Sequence, residues 1–208
     1  MAIAFVGPLS RYFASSEDEA LRLRAGVLAW CDDLRASVAD KVREQLHWDE
    51  AAPLACATDF GDSGFMALRL LAFYADRSEL EWPDTVPPLL ELDPEWRAAA
   101  EAKFDKSRYG HLLACQVWLP GDFPVTLRVP MPDGSTAEIG ALQVLANQLR
   151  WLNQRTFQAD ADEVAAWAEL PAVAGGELVT AARRGYAVLS AAVEVALRQQ
   201  LPLLVRLA

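Results

Sequence analysis

Hydrophobic positions recur along most of this chain at three- and four-residue steps, the signature of amphipathic helices. In one central stretch they switch to alternation or short solid runs. Leu23, Val27, Trp30/Cys31, Leu34, Val38 and Val42 form the first helical stripe. Ser15-Ser16 ahead of Glu17-Asp18-Glu19 supplies a cap and an acidic first turn. The pattern therefore predicts a helix from about residue 17 to Leu46, after an extended lead-in over residues 1–15. Asp62-Ser63-Gly64 predicts the cap of a second, shorter helix with Phe65, Leu68, Leu71 and Ala72 on its buried side. Asp93-Pro94-Glu95-Trp96 places a capping carboxylate before a proline at the first helical position, and this helix is expected to end near Arg108.

The period then changes. The run from His111 to Leu119, closed by Pro120-Gly121, reads as a strand, and Val125–Val129 alternates with period two. Met131-Pro-Asp-Gly134 is turn chemistry, so Thr136–Ile139 is the expected returning strand of a hairpin. After Gly140, Leu142, Leu145, Leu149 and Leu152 mark the buried stripe of a helix running to about Phe157. Asp160–Leu170 is a further short helix. After the break at Gly175-Gly176 a long helix carries Leu178, Ala182, Tyr186, Leu189, Val193 and Leu197 on one face. With no fixed-period repeat and no flexible linker, the expectation for residues 1–208 is a single globular domain of α+β class. It is mostly helical, with a small antiparallel sheet (the central hairpin) packed by amphipathic helices.

Composition sharpens this picture in three ways. Of the 208 residues 53% are apolar, enough for a substantial core and too many for disorder. The three cysteines, widely spaced and odd in number, make no disulfide framework. No apolar stretch reaches the ~20 residues that span a bilayer, and the start lacks the basic region of a signal peptide. The expectation is a cytoplasmic, reduced protein, monomeric or a small homo-oligomer, with no membrane partner. Its Ala, Leu, Arg and Asp content suits a GC-rich bacterial genome.

Charge adds the most. Between Asp76 and Glu95 stand seven carboxylates (Asp76, Glu79, Glu81, Asp84, Glu91, Asp93, Glu95) against one base, Arg77, which is −6 of the chain's net −10. Trp82 and four prolines share the segment, and proline's missing N–H and fixed φ argue against a helix or a central strand there. It is expected to cross the surface with its charge in water. Such a balance disfavours nucleic acid, whose phosphates call for clustered Lys and Arg, and favours a basic protein.

Candidate chemistry is sparse. Gly61-Asp62-Ser63-Gly64 and Asp59-Phe60-Gly61 match fragments of a serine-protease nucleophile loop and of a kinase metal-binding triplet, but neither has the surrounding pattern those motifs need. They read as a tight loop before a helix. His47 beside Trp48 reads as a C-terminal cap. His111 and Cys115, in a strand, lie too far apart for one ion, and no second ligand pair stands at zinc spacing. Asp59 with Asp62 is the best carboxylate pair for acid–base work, whereas Asp160-Ala-Asp162-Glu163 fits a helix N-terminus. No catalytic residue, metal site or cofactor is assigned. The tract Gln143, Asn147, Gln148, Arg150, Trp151, Asn153, Gln154, Arg155 gives one helix a polar face rich in amides, as at an interaction surface or a pocket wall.

These features fit a non-catalytic, acidic protein-binding module. The expected type is an intracellular inhibitor, an immunity protein that neutralises a basic partner such as a bacterial toxin. Partner contacts are expected at Glu79, Glu81, Trp82, Asp84, Glu91 and Asp93 and at Gln143, Asn147, Arg150, Trp151 and Gln154. The alternative is an enzyme or small-molecule-binding domain with a polar pocket near the 143–155 helix. A third reading makes the chain a subunit whose apolar end, Leu201–Ala208, docks elsewhere.

Overall fold

The computed structural model of the protein describes residues 2–38, 42 and 46–207. It begins with strand β1 (Ala2–Val6) and a short helix α1 (Leu9–Phe13), so the lead-in is extended only in its first part. Helix α2 (Glu17–Val38) buries Ala20, Val27, Cys31, Leu34 and Val38 along one side. Its expected continuation to Leu46 falls partly on residues 39–41 and 43–45, outside the described residues, and Leu46 itself is not helical. Strand β2 (Cys56–Asp59) follows, then α3 (Gly64–Ala75) with the expected Phe65, Leu68, Leu71 and Ala72 all buried. Ser63 precedes α3 without capping it, because its hydroxyl donates instead to the Val173 carbonyl at 2.8 Å.

Helix α4 (Pro94–Glu101) has the expected cap: an Asp93 oxygen accepts from the Trp96 N–H at 2.8 Å, with Pro94 at the first position. It stops short of Arg108, because Lys103 and Phe104 adopt positive φ and turn the chain. The run expected to be one strand from His111 to Leu119 divides into helix α5 (Gly110–Ala114) and strand β3 (Val117–Leu119). A short, fully buried apolar run shows no amphipathic period, so it does not separate helix from strand. The hairpin is present as β4 (Leu127–Pro130) and β5 (Thr136–Ala141) around a turn with Gly134 at φ 81°. It leads directly into α6 (Leu142–Arg155), where Leu142, Leu145, Leu149 and Leu152 are buried. A capping box of Asp160 and Glu163 starts α7 (Ala161–Ala166). Helix α8 (Leu178–Gln199) and strand β6 (Leu203–Leu207) close the fold.

The sheet differs from the expected small antiparallel hairpin. It has six strands in the order β2-β1-β6-β3-β5-β4 and is mixed, with β3 and β5 parallel and the other neighbours antiparallel. The hairpin lies at one edge. An inner position belongs to β6, whose Leu203, Leu204 and Val205 are buried between β1 and β3, so the apolar end of the chain completes the molecule's own sheet rather than docking elsewhere. A solid apolar run is what a strand covered on both faces requires. Helix α3, apolar nearly all round, lies among α5, α6 and α8. Its crossing with α8 is a backbone contact: a Cβ on Gly185 would collide with the Gly64 carbonyl oxygen.

Candidate functional site

The acidic segment leaves the C-terminal end of α3 and is fastened at both ends and in the middle. Asp76 accepts from the Ser107 hydroxyl at 3.1 Å and the Arg108 N–H at 3.0 Å. Asp93 divides its oxygens between the Trp96 N–H and the Tyr74 hydroxyl, the latter at 2.7 Å. Midway, Thr85 bridges Glu177, Val86 donates to the Gly176 carbonyl, and the Asp84 carbonyl accepts from Leu178 at the start of α8. Val86 and Leu90 are the buried anchors.

This fastening decides which carboxylates face outward. Asp93, expected to meet a partner, is half-buried and committed to capping α4 and holding Tyr74. Burial and that carboxylate push the Tyr74 hydroxyl well above its ordinary range. Glu79, Glu81, Asp84 and Glu91 are exposed, as is Glu95. None of these five forms an ion pair among the described residues. Arg77, the segment's base, folds back: its guanidinium lies 3.9 Å from the Phe73 ring centroid and donates to the Phe73 carbonyl. Between the carboxylates Trp82 is 40% exposed, Leu89 58% and Leu92 62%. The two leucines passed unnoticed in the sequence because nothing in their spacing distinguishes an outward Leu from the inward Leu90.

The amide-rich face of α6 borders a groove of about 460 Å³ lined by Arg108, Val144, Asn147, Gln148, Arg150, Trp151 and Gln154. Four of the five α6 residues expected at a contact surface thus come together, while Gln143 lies outside the groove. Trp151 is 48% exposed, and the Arg108 guanidinium stands 5.4 Å from its ring centroid. Arg108 was missed in the sequence. It reaches the groove from the loop after α4 because Asp76 holds its backbone, with the Asp76 carboxylate also 3.7 Å from its Nε. Asn153 and Arg155 serve the fold instead, Asn153 bracketing Ala159 through both amide atoms and Arg155 reaching the Ala75 carbonyl.

The other candidate chemistry is absorbed by structure. Asp59 closes its own loop by accepting from the Gly61 N–H at 2.9 Å, and Asp62 is exposed. His47 is exposed in the connection after α2. With α5 helical, His111 and Cys115 converge over Gly140, so the separation expected of a strand does not hold. Both ring nitrogens of His111 are engaged, Nδ1 with the Ala141 N–H at 3.0 Å and Nε2 with the Pro124 carbonyl at 3.2 Å. No group of three or more potential metal ligands occurs among the described residues. All three cysteines are free; burial pushes the Cys31 thiol up to about 12 and the Cys115 thiol higher still, far from a reactive thiolate. No helix among the described residues is long and apolar enough to cross a membrane. Comparison of the chain with models of protein families, with curated proteins and with solved structures finds no match in any of the three.

Proposed function

We propose that this protein is a non-catalytic, acidic binding module that captures a basic protein, in the manner of an immunity protein neutralising a toxin. The observation that carries the reading is the exposure of Trp82, Leu89 and Leu92 among carboxylates that form no ion pair among the described residues. Carboxylates at a surface raise the rate of encounter with a cationic partner and reject acidic ones. Apolar anchors, aromatic ones above all, supply what holds the complex once formed. The bridge to the start of α8 and the buried Val86 and Leu90 keep the segment ordered, which lowers the entropy cost of binding. An inhibitor of this kind acts by occupying a surface and uses no catalytic group.

The test is differential capture from a lysate of the source organism. Wild type is compared with a variant carrying Glu79→Gln, Glu81→Gln and Asp84→Asn, and with Trp82→Ala. A single basic protein retained by wild type should associate more slowly with the triple variant and lose much of its salt dependence. The same protein should dissociate faster from Trp82→Ala. Equal capture and equal association rates for all three proteins in low salt would remove the acidic segment from the binding surface. The groove on α6 favours a second reading, in which the chain binds a small ligand there.

A further inference from the structure

The groove on α6 is opposite in character to the molecule that carries it. The chain has a net charge of −10, yet the charged residues lining the groove are Arg108 and Arg150. The carboxylate of Asp76 reaches Arg108 Nε at 3.7 Å from outside the lining, and Arg150 forms no ion pair among the described residues. Two of its three amides are also turned to donate. Gln148 Oε1 accepts from the Leu112 N–H at 3.0 Å, and Asn147 Oδ1 accepts from Arg150 Nη1 at 3.1 Å. A backbone N–H and a guanidinium only donate, so both carbonyl oxygens are fixed on these partners and both NH₂ groups are left as donors. Two arginines and two amides with donating NH₂ groups therefore line one groove with the half-exposed ring of Trp151, the Arg108 guanidinium 5.4 Å from that ring's centroid.

We propose that this groove binds a small planar anion: a flat aromatic or heteroaromatic ring bearing one phosphate or carboxylate. The ring lies along Trp151 and the guanidinium planes, where stacking and cation–π attraction act together. The anion takes charge-assisted hydrogen bonds from Arg150 and Arg108, whose planar forks match either oxyanion. A volume of about 460 Å³ suits a molecule of mononucleotide size. The groove's lining includes none of Glu79, Glu81, Trp82 or Asp84, so the proposal does not depend on the proposed protein partner.

Isothermal titration with AMP and with indole-3-acetate tests this, with adenosine and inorganic phosphate as controls that each lack one half of the recognised chemistry. At least one of the two planar anions should bind with one-to-one stoichiometry, about tenfold or more tighter than either control, a difference of roughly 1.4 kcal/mol. Which of the two binds tells phosphate from carboxylate. Arg150→Gln and Trp151→Leu should each weaken binding about tenfold while melting like wild type, since both side chains are exposed; Glu79→Gln should bind as wild type does. Three results overturn the proposal: neither anion binding below about 1 mM, adenosine binding as tightly as AMP, or Arg150→Gln and Trp151→Leu binding unchanged. Loss of a captured protein by Arg150→Gln, with no anion bound by wild type, would give the groove to a protein interface and overturn it as well.

Discussion

His111 joins three parts of the molecule through one ring. A backbone N–H can only donate, so the Nδ1 that receives Ala141 is unprotonated and the proton resides on Nε2, facing the Pro124 carbonyl. The ring thus ties α5 to the end of β5 and to the connection before β4. Space around it is tight: a Cβ on Gly140 would lie 2.8 Å from both His111 Nδ1 and Trp118 Cδ1, which explains a glycine in the buried half of β5. Burial holds the imidazole below its ordinary pKa, so the folded protein favours the neutral ring. A depressed pKa means that the unfolded chain takes up the proton first. The contribution of His111 to stability is then complete above the unfolded value near 6.5 and lost as pH falls through the lower folded value. Denaturant titrations at pH 7.5 and 5.5 should show wild type losing more stability than His111→Leu across this interval, the variant starting about 1–3 kcal/mol lower because the Ala141 N–H is left unpaired. Parallel pH dependences for the two proteins would show that the ring does not titrate in this window. A second buried polar group, Glu50, also joins separate parts of the chain: it accepts from Leu9, from Ser10 through both N–H and hydroxyl, and from Trp48 Nε1, binding the start of α1 to the chain after α2.

Among the elements, α6 separates fold from function most cleanly. Its leucines face the core while Asn147, Gln148, Gln154, Trp151 and Arg150 line the groove, so substitutions on the two sides should report on different properties. Leu149 is 2% exposed, and Leu149→Ala should cost about 2–5 kcal/mol in a denaturant titration. A loss well under 1 kcal/mol would mean that the helix does not depend on this face. The contrast between α6 and β6 explains how much of the molecule was readable in advance. A helix announces itself locally, through its period and its caps, and the hairpin does so through its turn; hence α3, α6, α8 and β4–β5 were legible, as was the capping of α4 by Asp93. Strand pairing is set by partners far away in sequence. Nothing near Leu203 says that it will meet Val6 and Trp118, so the six-stranded sheet was not. The candidate site divides along the same line. The polar face of α6 was visible as a pattern, whereas Arg108 enters the groove only because Asp76, from the end of another helix, holds its backbone.

At the scale of the whole molecule, the two ends of the described chain lie side by side. Strand β1 pairs with β6, and β6 in turn joins β3, so the last strand links the β2-β1 pair to the β3-β5-β4 group. The groove stands on α6, whose sheet contacts are with β3 and β5, while the acidic segment is fastened to α3, α4 and the start of α8, the helix that packs over β1 and β2. Removing residues 203–208 would expose unpaired strand edges on both groups and strip Leu203, Leu204 and Val205 from the core. Edge loss alone can be tolerated by a sheet, but losing an interior strand leaves two fragments of two and three strands, the smaller of them marginal by itself. The truncated chain should therefore show no cooperative thermal transition by circular dichroism and should expose apolar surface to a dye such as ANS. Retention of a sharp transition within a few degrees of the full chain would show that β6 is an accessory strand and that the helical layer carries the fold without it.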